Sequence, residues 1–433
     1  MASKSPAVRS LLLVRNGVDH DARVLRAARV AERVLPGTAL VLGVATATAP
    51  AGAAVVEGVQ VLRLPARPPG LTRLLGLTAR VNGAAPAPAN GAITAAPALT
   101  WAARLRRILS GLSFSRQAFS VARQTRPELV HANDWNTMWT GLAIKLGFGA
   151  RLVYDSHELW PDRNGRWEWR PWLLAGEALF MRVADEVITS SPGYAEELAS
   201  RYRVSRPLVV RNIPEPCTAA GSSSPSHRAS QELLSSIGHS QLAGPPSPPR
   251  VVYVGGLMPG RGLEQMIDSL PLLPDVRLCA IGPGASRFRM DLLRRARAAG
   301  VEDRVVLRAP VAPGDVRGVL LGAAAGLCLI QPICRSYELS LPNKLFEYAA
   351  AGVPVLASDA PVSAAVVRTH GLGQVVAGDG PRAIATSLER LLAPEGWRLA
   401  SERAGAFAAG NDWRAEADAL AGVYGRVVNG AAR

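Results

Sequence analysis

Apolar runs with the length of buried strands alternate along the whole chain with segments that have the composition of helices. Such alternation is typical of parallel sheets joined by crossover helices, which is the α/β class. Because a single core stops growing beyond about 250–300 residues, a chain of 433 residues is expected to form two domains. The predicted strands are residues 10–14, 39–45, 59–64, 129–131, 152–154, 186–189, 251–254, 276–281, 305–307, 326–330, 353–357 and 373–376. Two similar Rossmann-like halves fit this pattern.

The segment 336–358 carries the most informative motif of the chain. Pro342 suits the first position of a helix, because its missing N–H has no helical partner there. The amides that follow, together with the positive end of the helix dipole, favour a diphosphate, and Lys344 adds a charge in the same turn. Asn343 and Glu347 share a helix face, where a carboxylate can accept hydrogen bonds from a ribose. An ordinary amphipathic helix is the alternative on spacing alone.

A glycine-rich turn, Gly255-Gly256-Leu257-Met258-Pro259-Gly260-Arg261-Gly262, follows the predicted strand 251–254. Such a turn lets the backbone approach a pyrophosphate closely, and Arg261 would neutralise its charge. The spacing is neither Gly-x-Gly-x-x-Gly nor a P-loop, which argues against a dinucleotide or Walker site. A second turn begins at Gly282, after strand 276–281. A plain turn is the alternative for each.

The run Leu-Pro-Asn-Lys-Leu-Phe-Glu-Tyr at residues 341–348 resembles the C-terminal signature of family 4 glycosyltransferases, which are retaining enzymes of the GT-B fold. The resemblance implies two Rossmann-like domains that face a deep interdomain cleft. It assigns donor contacts to Leu341, Pro342 and Asn343 and a ribose contact to Glu347. Strict register puts Leu339 at the family's donor-sugar glutamate, so Glu338 fills that position only if the loop absorbs one residue.

Two motifs of the first half lie at predicted strand ends, where open α/β sheets place ligand sites. They are His131-Ala132-Asn133-Asp134-Trp135 and Tyr154-Asp155-Ser156-His157-Glu158. By resemblance, His157 aligns with the histidine that reaches the donor sugar, while His131 packs beneath it. Asp134 and Glu158 are candidates for binding acceptor hydroxyls, and capping of neighbouring amides is the alternative.

Near the start, the segment 16–24 resembles the family's Asp-x-Arg-Val opening, with Asn16 and Gly17 expected to face the donor phosphates. The triplet Asp19-His20-Asp21 raises a metal-binding pair as an alternative, but two carboxylates alone seldom hold magnesium. We therefore predict a helix cap and no metal or other cofactor.

The resemblance also suggests domain limits. Residues 1–206 would form an acceptor-binding domain with an irregular loop at 66–100, and 207–412 a nucleotide-sugar-binding domain with an insertion at 215–250. A C-terminal helix in 413–433, expected from Trp413 to Val428, would pack back on the first domain.

Charge and composition bear on partners. The net charge is +15, yet the only lysines are Lys4, Lys145 and Lys344, and no nucleic-acid-reading motif is present, so we predict no nucleic-acid partner. Tryptophans alternate with arginines in 160–172, a composition suited to sugar stacking or a lipid interface. The arginine-rich stretch 101–126 is by default a solvated helix face, with contact to an anionic membrane as the alternative.

No run reaches the ~20 apolar residues of a membrane span, since the longest stretch that is both uncharged and apolar is 318–330. No signal peptide is recognisable, so a cytoplasmic protein is expected, with the inner membrane face as a peripheral location. Cys217, Cys279, Cys328 and Cys334 lack metal-ligand spacing, and buried free thiols are predicted for Cys279 and Cys328.

These features together predict a metal-independent retaining glycosyltransferase, with His157, Arg261 and Lys344 as catalytic residues. Its donor would be a nucleoside-diphosphate sugar, and its acceptor a sugar, a lipid-linked or a natural-product hydroxyl. A sugar-nucleotide epimerase of the same fold and a non-catalytic nucleotide-sugar-binding partner subunit are the alternatives.

Overall fold

The computed structural model describes residues 7–19, 21–66, 100–215, 244–378 and 380–430. Most of the predicted loop 66–100 and of the predicted insertion 215–250 lies outside these ranges, as do His20 and Cys217. The chain divides into two compact units. One comprises Met1–Thr189, Tyr194–Val210 and Ala417–Arg433, and the other Ser190–Gly193 and Arg211–Glu416. We call them the N-terminal and the C-terminal domain.

The described part of the N-terminal domain forms an eight-stranded sheet. Its strands are β1 (Val8–Leu13), β2 (Thr38–Val44), β3 (Gly52–Val56), β4 (Val59–Leu64), β5 (Leu129–Asn133), β6 (Arg151–Ser156), β7 (Glu186–Thr189) and β8 (Leu208–Val209). The spatial order is β3-β4-β2-β1-β5-β6-β7-β8, and only β3 runs antiparallel to its neighbour. The strand order reverses between β1 and β5, which is where open parallel sheets bind ligands.

The helices of this domain cross over between the parallel strands. They are α1 (Ala22–Val34), α2 (Trp101–Thr125), α3 (Trp135–Phe148), α4 (Arg170–Val183) and α5 (Pro192–Tyr202), with a 3-10 turn at Trp160–Asp162. In α1, Val24, Leu25, Ala28 and Ala31 recur at helical spacing and are buried. Burial of this apolar face holds α1 against the sheet.

The C-terminal domain, as far as it is described, has a six-stranded, entirely parallel sheet. Its strands are β9 (Arg250–Val254), β10 (Arg277–Ile281), β11 (Val305–Arg308), β12 (Ala325–Cys328), β13 (Val355–Ser358) and β14 (Gly373–Val376), in the order β11-β10-β9-β12-β13-β14. This is the 3-2-1-4-5-6 order of a Rossmann fold. The switch point therefore lies between β9 and β12.

Helices cover both faces of this sheet. They are α6 (Leu263–Ser269), α7 (Ser286–Ala298), α8 (Val316–Leu320), α9 (Arg335–Glu338), α10 (Asn343–Ala350), α11 (Pro361–His370), α12 (Pro381–Leu392) and α13 (Pro394–Gly410), with 3-10 turns at Leu270–Leu272, Glu302–Arg304 and Pro313–Asp315. The last helix, α14 (Trp413–Val428), belongs to the N-terminal domain from Ala417 onward. Along β9, Val251 and Tyr253 join one apolar cluster, while Val252 and Val254 join another. Burial on both sides explains why the strands read as continuous apolar runs.

The predicted α/β class and all twelve predicted strands are confirmed, as is the helix from Trp413 to Val428. Two strands were missed. The edge strand β3 is largely exposed and joins β4 through a tight turn at Glu57 and Gly58, and β8 has two residues. Neither presents the buried apolar run on which the prediction relied.

One local prediction is wrong. Pro342 is not the first helical residue of α10 but its N-cap, with φ −75° and ψ 139°. The extended ψ leaves Asn343 as the first residue with helical geometry, so the proline sets the entry direction of the chain.

Cys279 and Cys328 are buried free thiols, as predicted. Within the described ranges, no helix combines the length and the apolar composition that crossing a bilayer requires.

Candidate functional site

The C-terminal domain brings Lys344 against the glycine turn that follows β9. The Nζ atom of Lys344 lies 3.8 Å from the centre of the Tyr253 ring, and a Cβ atom at Gly255 would lie 3.5 Å from Nζ. The Tyr253 hydroxyl donates a 2.8 Å hydrogen bond to the Gly256 carbonyl, which holds the ring in place. The two motifs are almost ninety residues apart in sequence, yet the ammonium group stands at the carboxyl end of β9.

Close backbone packing explains the glycines of this region. A Cβ atom at Gly282 would overlap the carbonyl oxygen of Gly255, whose own amide donates to Ile281 at 3.0 Å. Gly262 has φ 76° and leaves no room for a Cβ beside Leu329. Only glycine lets the turns after β9 and β10 approach this closely. The backbone at Gly255 and Gly256 is half-buried there and has no side chains that would keep a pyrophosphate at a distance.

Arg261 lies at the other end of the same turn. Its guanidinium is 4.3 Å from the centre of the Tyr337 ring, and the Tyr337 hydroxyl is 3.7 Å from the Met258 sulfur. The amide of Gln331 donates to the Gly260 carbonyl at 3.0 Å. The loop 331–337 therefore packs against the glycine turn, and its tyrosine holds the arginine through a cation–π contact.

The charges of Lys344 and Arg261 both reach the carboxyl end of β12. Burial raises the pKa of the Cys328 thiol, at the end of β12, while the charges of Lys344 and Arg261 both oppose that rise. Two cations within electrostatic reach of one buried atom create a positive potential at the carboxyl edge of the sheet. A doubly charged diphosphate is the kind of ligand that such an edge favours.

The residues at the start of α10 differ in their burial. Leu341 is buried in the apolar core, so its side chain does not line the site. Asn343 is exposed and Glu347 half-buried, and they lie one turn apart on α10. Pro342, as the N-cap residue, offers no side-chain acceptor to the first amides of α10.

Glu338 has a partner of its own. Its Oε2 atom lies 3.0 Å from Arg335 Nη1 within the single turn of α9. Leu339, which strict register puts at the family's glutamate position, ends this turn. Glu338 can therefore contact a hydroxyl of a donor sugar only by breaking this ion pair. The pair is exposed, so breaking it costs little stability.

In the N-terminal domain, Asp134 and His157 meet at neighbouring strand ends. Asp134 Oδ1 lies 3.3 Å from His157 Nδ1. Burial raises the pKa of Asp134 to about 6, against the opposing charge of His157. Burial alone would lower the pKa of His157, but the carboxylates of Asp134, Asp155 and Glu158 outweigh it and raise that pKa.

The backbone at Asp134 is strained. Its φ of 65° and ψ of 162° fall in a region that is almost restricted to glycine, and its side chain makes no capping hydrogen bond to α3. The capping alternative for Asp134 is therefore wrong, because the carboxylate points to His157 instead. Such strain, at about 1–3 kcal/mol, persists where the surroundings hold the residue in place, and it is most frequent at functional sites.

The remaining N-terminal candidates have local partners. Glu158 forms a 2.5 Å ion pair with Arg163. Asn16 accepts from the Val18 amide at 2.8 Å and donates to Asp21 at 2.7 Å, so its amide group shapes the turn after β1. The Gly17 carbonyl accepts from Arg63 at 2.9 Å.

The predicted helix cap is confirmed. Asp21 accepts from the Val24 amide at 3.2 Å and caps α1, while Asp19 pairs with Arg63. Over the described ranges, histidine, cysteine and acidic side chains form no group of three or more that could hold a metal ion.

A buried ion pair beneath this site was missed. Arg23 makes two hydrogen bonds to Asp155, at 2.7 and 2.8 Å, and a third to the Val210 carbonyl at 2.7 Å. His131 Nε2 lies 3.4 Å from Asp155, and its Nδ1 shares a 2.7 Å hydrogen bond with the Tyr424 hydroxyl of α14. His131 is thus buried, with Tyr424 and Asp155 as its polar neighbours. The Asp-x-Arg-Val resemblance was the available signal for Arg23, but it named no partner.

Next to this network, Glu177 is a fully buried carboxyl group. The hydroxyls of Tyr154 and Tyr202 donate to its two oxygens at 3.0 and 2.8 Å. Burial raises the pKa of Glu177 to about 7, although both hydrogen bonds oppose the rise. The folded domain therefore keeps this proton at pH values where the unfolded chain has lost it.

We expect Glu177 to make the N-terminal domain less stable as pH rises. Its contribution is fully present below the unfolded pKa of 4.5 and is lost as pH rises through about 7. From pH 4 to pH 8, the difference in unfolding free energy between Glu177→Gln and wild type should shift by about 3 kcal/mol in favour of the variant. Urea unfolding at several pH values measures this. Glu196→Gln, at a carboxylate that is 72% exposed, is the control, and a flat difference for Glu177→Gln would contradict the assignment.

Family comparisons match the two halves of the chain separately. Residues 74–212 match the family described as Glycosyltransferase Family 4, and residues 248–394 match Glycosyl transferases group 1. The two matched regions contain the Asp134–His157 pair and the Lys344 site respectively.

Curated relatives include two proteins named D-inositol 3-phosphate glycosyltransferase. The one from Salinispora tropica is 28% identical over 326 residues, which cover 70% of this chain and 64% of the relative. The one from Mycolicibacterium vanbaalenii is 25% identical over 319 residues, covering 70% and 67%. The chain thus spans about two thirds of the length of these relatives.

Solved structures of similar fold cover nearly the whole chain. Sucrose-phosphate synthase from Thermosynechococcus elongatus has a TM-score of 0.69 at 16% identity and covers 98% of this chain and 100% of its own. Anabaena HepE in complex with UDP-glucose has a TM-score of 0.64 at 15% identity, covering 96% and 98%. At such identities the likeness establishes the fold, two Rossmann-like domains of the GT-B type.

Proposed function

Because the chain belongs to glycosyltransferase family 4, we propose that it transfers a sugar from a nucleoside-diphosphate donor to an acceptor hydroxyl with retention of the anomeric configuration. The observation that carries the proposal is the place of Lys344, whose Nζ lies 3.8 Å from the Tyr253 ring centre and beside Gly255. A nearly buried ammonium group at a glycine turn is suited to a phosphate.

In the transfer, the bond between the anomeric carbon and the diphosphate oxygen breaks, and the electron pair leaves with the diphosphate. Lys344, Arg261 and the first amides of α10 would bind the oxygens on which this charge grows. Preorganised positive groups at such a position lower the barrier more than any other single contribution. Because these groups neutralise the leaving diphosphate themselves, we propose that no metal ion is needed.

Retention would follow from attack on the same face that the diphosphate leaves. Glu338, the acidic candidate for contact with the donor sugar, is paired with Arg335, which makes it a poor nucleophile for a covalent double displacement. The acceptor oxygen would instead approach an oxocarbenium-like centre while its proton passes to the departing phosphate. His157, oriented by Asp134, would contact the donor sugar.

The comparisons suggest where to begin with substrates. The HepE structure, titled as a complex with UDP-glucose, makes UDP-sugars the first donors to test. The relatives named D-inositol 3-phosphate glycosyltransferase make a polyol phosphate the first acceptor. Their transferase names also favour transfer over the epimerase and partner-subunit alternatives.

Donor binding and product configuration test this proposal. Thermal unfolding of the full chain should shift upward with the cognate donor and with its free nucleoside diphosphate, among UDP, GDP, ADP and dTDP and their sugars. With that donor and an acceptor, proton NMR should show a product with the donor's anomeric configuration, formed equally well in EDTA.

Four results would contradict it. Consumption of the donor without acceptor to give an epimer would indicate the epimerase. An inverted product would overturn the front-face mechanism, and loss of turnover in EDTA would overturn metal independence. Absence of any shift with all donors would leave the partner subunit as the better description.

A further inference from the structure

An exposed apolar stripe runs along the first half of α2. Its members are Trp101, Leu105, Ile108 and Leu112, whose exposed fractions are 76, 39, 49 and 63%. The spacings of four, three and four residues put them on one side of the helix. We call this set the α2 stripe. Single exposed apolar residues need no explanation, but an aligned set on one helix marks an interaction surface.

The first half of α2 has little else to stabilise it. The buried residues of the helix are Phe114, Ala118 and Ala122, all in its second half. Helices in water depend mainly on packing of an apolar face rather than on intrinsic propensity. The apolar face of the first half is the α2 stripe, which nothing in the described domain covers. A partner that does cover it would stabilise this half of the helix.

The charge on α2 defines the partner. Between Trp101 and Thr125 the helix has no acidic residue but five arginines, namely Arg104, Arg106, Arg107, Arg116 and Arg123. At 3.6 residues per turn, Arg104 and Arg116 lie on the two sides of the α2 stripe, and both are exposed. On α2 itself the apolar stripe is bordered by positive and not by negative side chains, a composition typical of helices that lie in an anionic membrane interface.

A neighbouring segment adds tryptophans to the same domain surface. Trp169 and Trp172, at the start of α4, are 74 and 50% exposed. The segment adjoins α2, because the Arg104 guanidinium lies 5.9 Å from the Trp167 ring centre. Tryptophan is enriched at the boundary between lipid headgroups and acyl chains.

We propose that the α2 stripe, with Arg104, Arg116 and the exposed tryptophans, binds peripherally to the surface of a bilayer rich in anionic phospholipid. The aliphatic side chains and tryptophans enter the headgroup region, and the arginines bind lipid phosphates. An acidic protein partner fits less well, since it would leave the outward tryptophans without a matching apolar surface. The proposal does not depend on the transfer reaction.

Vesicle flotation of the full chain tests it. The protein should float with vesicles of phosphatidylcholine and phosphatidylglycerol, and far less with phosphatidylcholine alone. Binding should weaken as ionic strength rises, because the arginine contribution is screened. The double variant Ile108→Asp, Leu112→Asp should lower the partition coefficient roughly tenfold or more, since it puts two negative charges at the interface.

The matched control adds the same charges elsewhere on α2. Ser120 and Gln124 are exposed and lie off the α2 stripe, so Ser120→Asp, Gln124→Asp should keep most of the binding. Circular dichroism on heating checks that both variants fold. Equal loss in both double variants, equal binding to neutral vesicles, or no flotation would overturn the proposal. Light scattering gives a further test. If the wild-type chain formed a dimer without lipid and the Ile108→Asp, Leu112→Asp variant did not, the α2 stripe would bind a second copy and the proposal would be wrong.

Discussion

Replacing Lys344 with alanine is expected to lower kcat/KM for sugar transfer roughly 10²–10³-fold, the cost of removing one charged group that stabilises a leaving oxyanion. Its Nζ lies over the Tyr253 ring and beside Gly255, at the carboxyl end of β9. Because the growing charge on the diphosphate is greater in the transition state than in the bound donor, kcat should fall more than KM rises. Arg261→Ala should act in the same direction.

Two controls separate chemistry from folding. Arg382→Ala removes an exposed cation from α12 of the same domain and should leave kcat/KM unchanged. Thermal unfolding of Lys344→Ala without ligand should remain close to wild type, whereas its stabilisation by the nucleoside diphosphate should shrink. Lys344→Arg keeps the charge but not the shape, and should recover part of the activity. Wild-type turnover in both Lys344→Ala and Arg261→Ala would contradict the phosphate assignment.

The sequence was most informative where local chemistry determines local structure. The glycine turn at 255–262 and the start of α10 were recognisable because close backbone approach and helix ends need particular residue types. That the two meet at one sheet edge, with Lys344 beside Gly255, was seen only in the structure. The cap at Asp21 followed from the same local rules.

The sequence did not predict contacts between residues that are far apart in the chain. Arg23 and Asp155 are separated by 132 positions, and nothing in either residue's neighbourhood identifies the other. The pairing of Glu177 with Tyr154 and Tyr202 depends likewise on how α4 and α5 pack against β6. The strain at Asp134 arises from tertiary contacts, since local preference alone would put glycine at its φ and ψ.

The Arg23–Asp155 pair leads to the largest expected change in stability. Arg23→Met should lower the unfolding free energy of the N-terminal domain by about 3–5 kcal/mol, because it leaves a buried carboxylate without its main partner. Both side chains are nearly inaccessible, at 6 and 1% exposure. Arg29→Met is the matched control, since the Arg29–Glu57 pair is 35 and 44% exposed and should contribute less than about 1 kcal/mol.

Neutralising Asp155 in the Arg23→Met variant distinguishes the effect of an unpaired buried charge from the effect of lost packing. Burial would raise the pKa of Asp155, but Arg23 and His131 outweigh it and hold that pKa well below its ordinary value. In wild type this carboxylate stabilises the fold above its unfolded pKa, and the stabilisation is lost as pH falls. Without Arg23 its pKa should rise, so the Arg23→Met defect should shrink in acid.

Arg23→Met combined with Asp155→Asn should therefore be more stable than Arg23→Met alone near neutral pH, a non-additivity that a double-mutant cycle measures. Tryptophan fluorescence in urea is a suitable probe, because the N-terminal domain holds all the tryptophans except Trp397 and Trp413. The opposite result would be that Asp155→Asn destabilises the Arg23→Met variant as much as it destabilises wild type. The main role of Arg23 would then not be to neutralise the Asp155 carboxylate. The arginine would then act mainly through its hydrogen bond to the Val210 carbonyl.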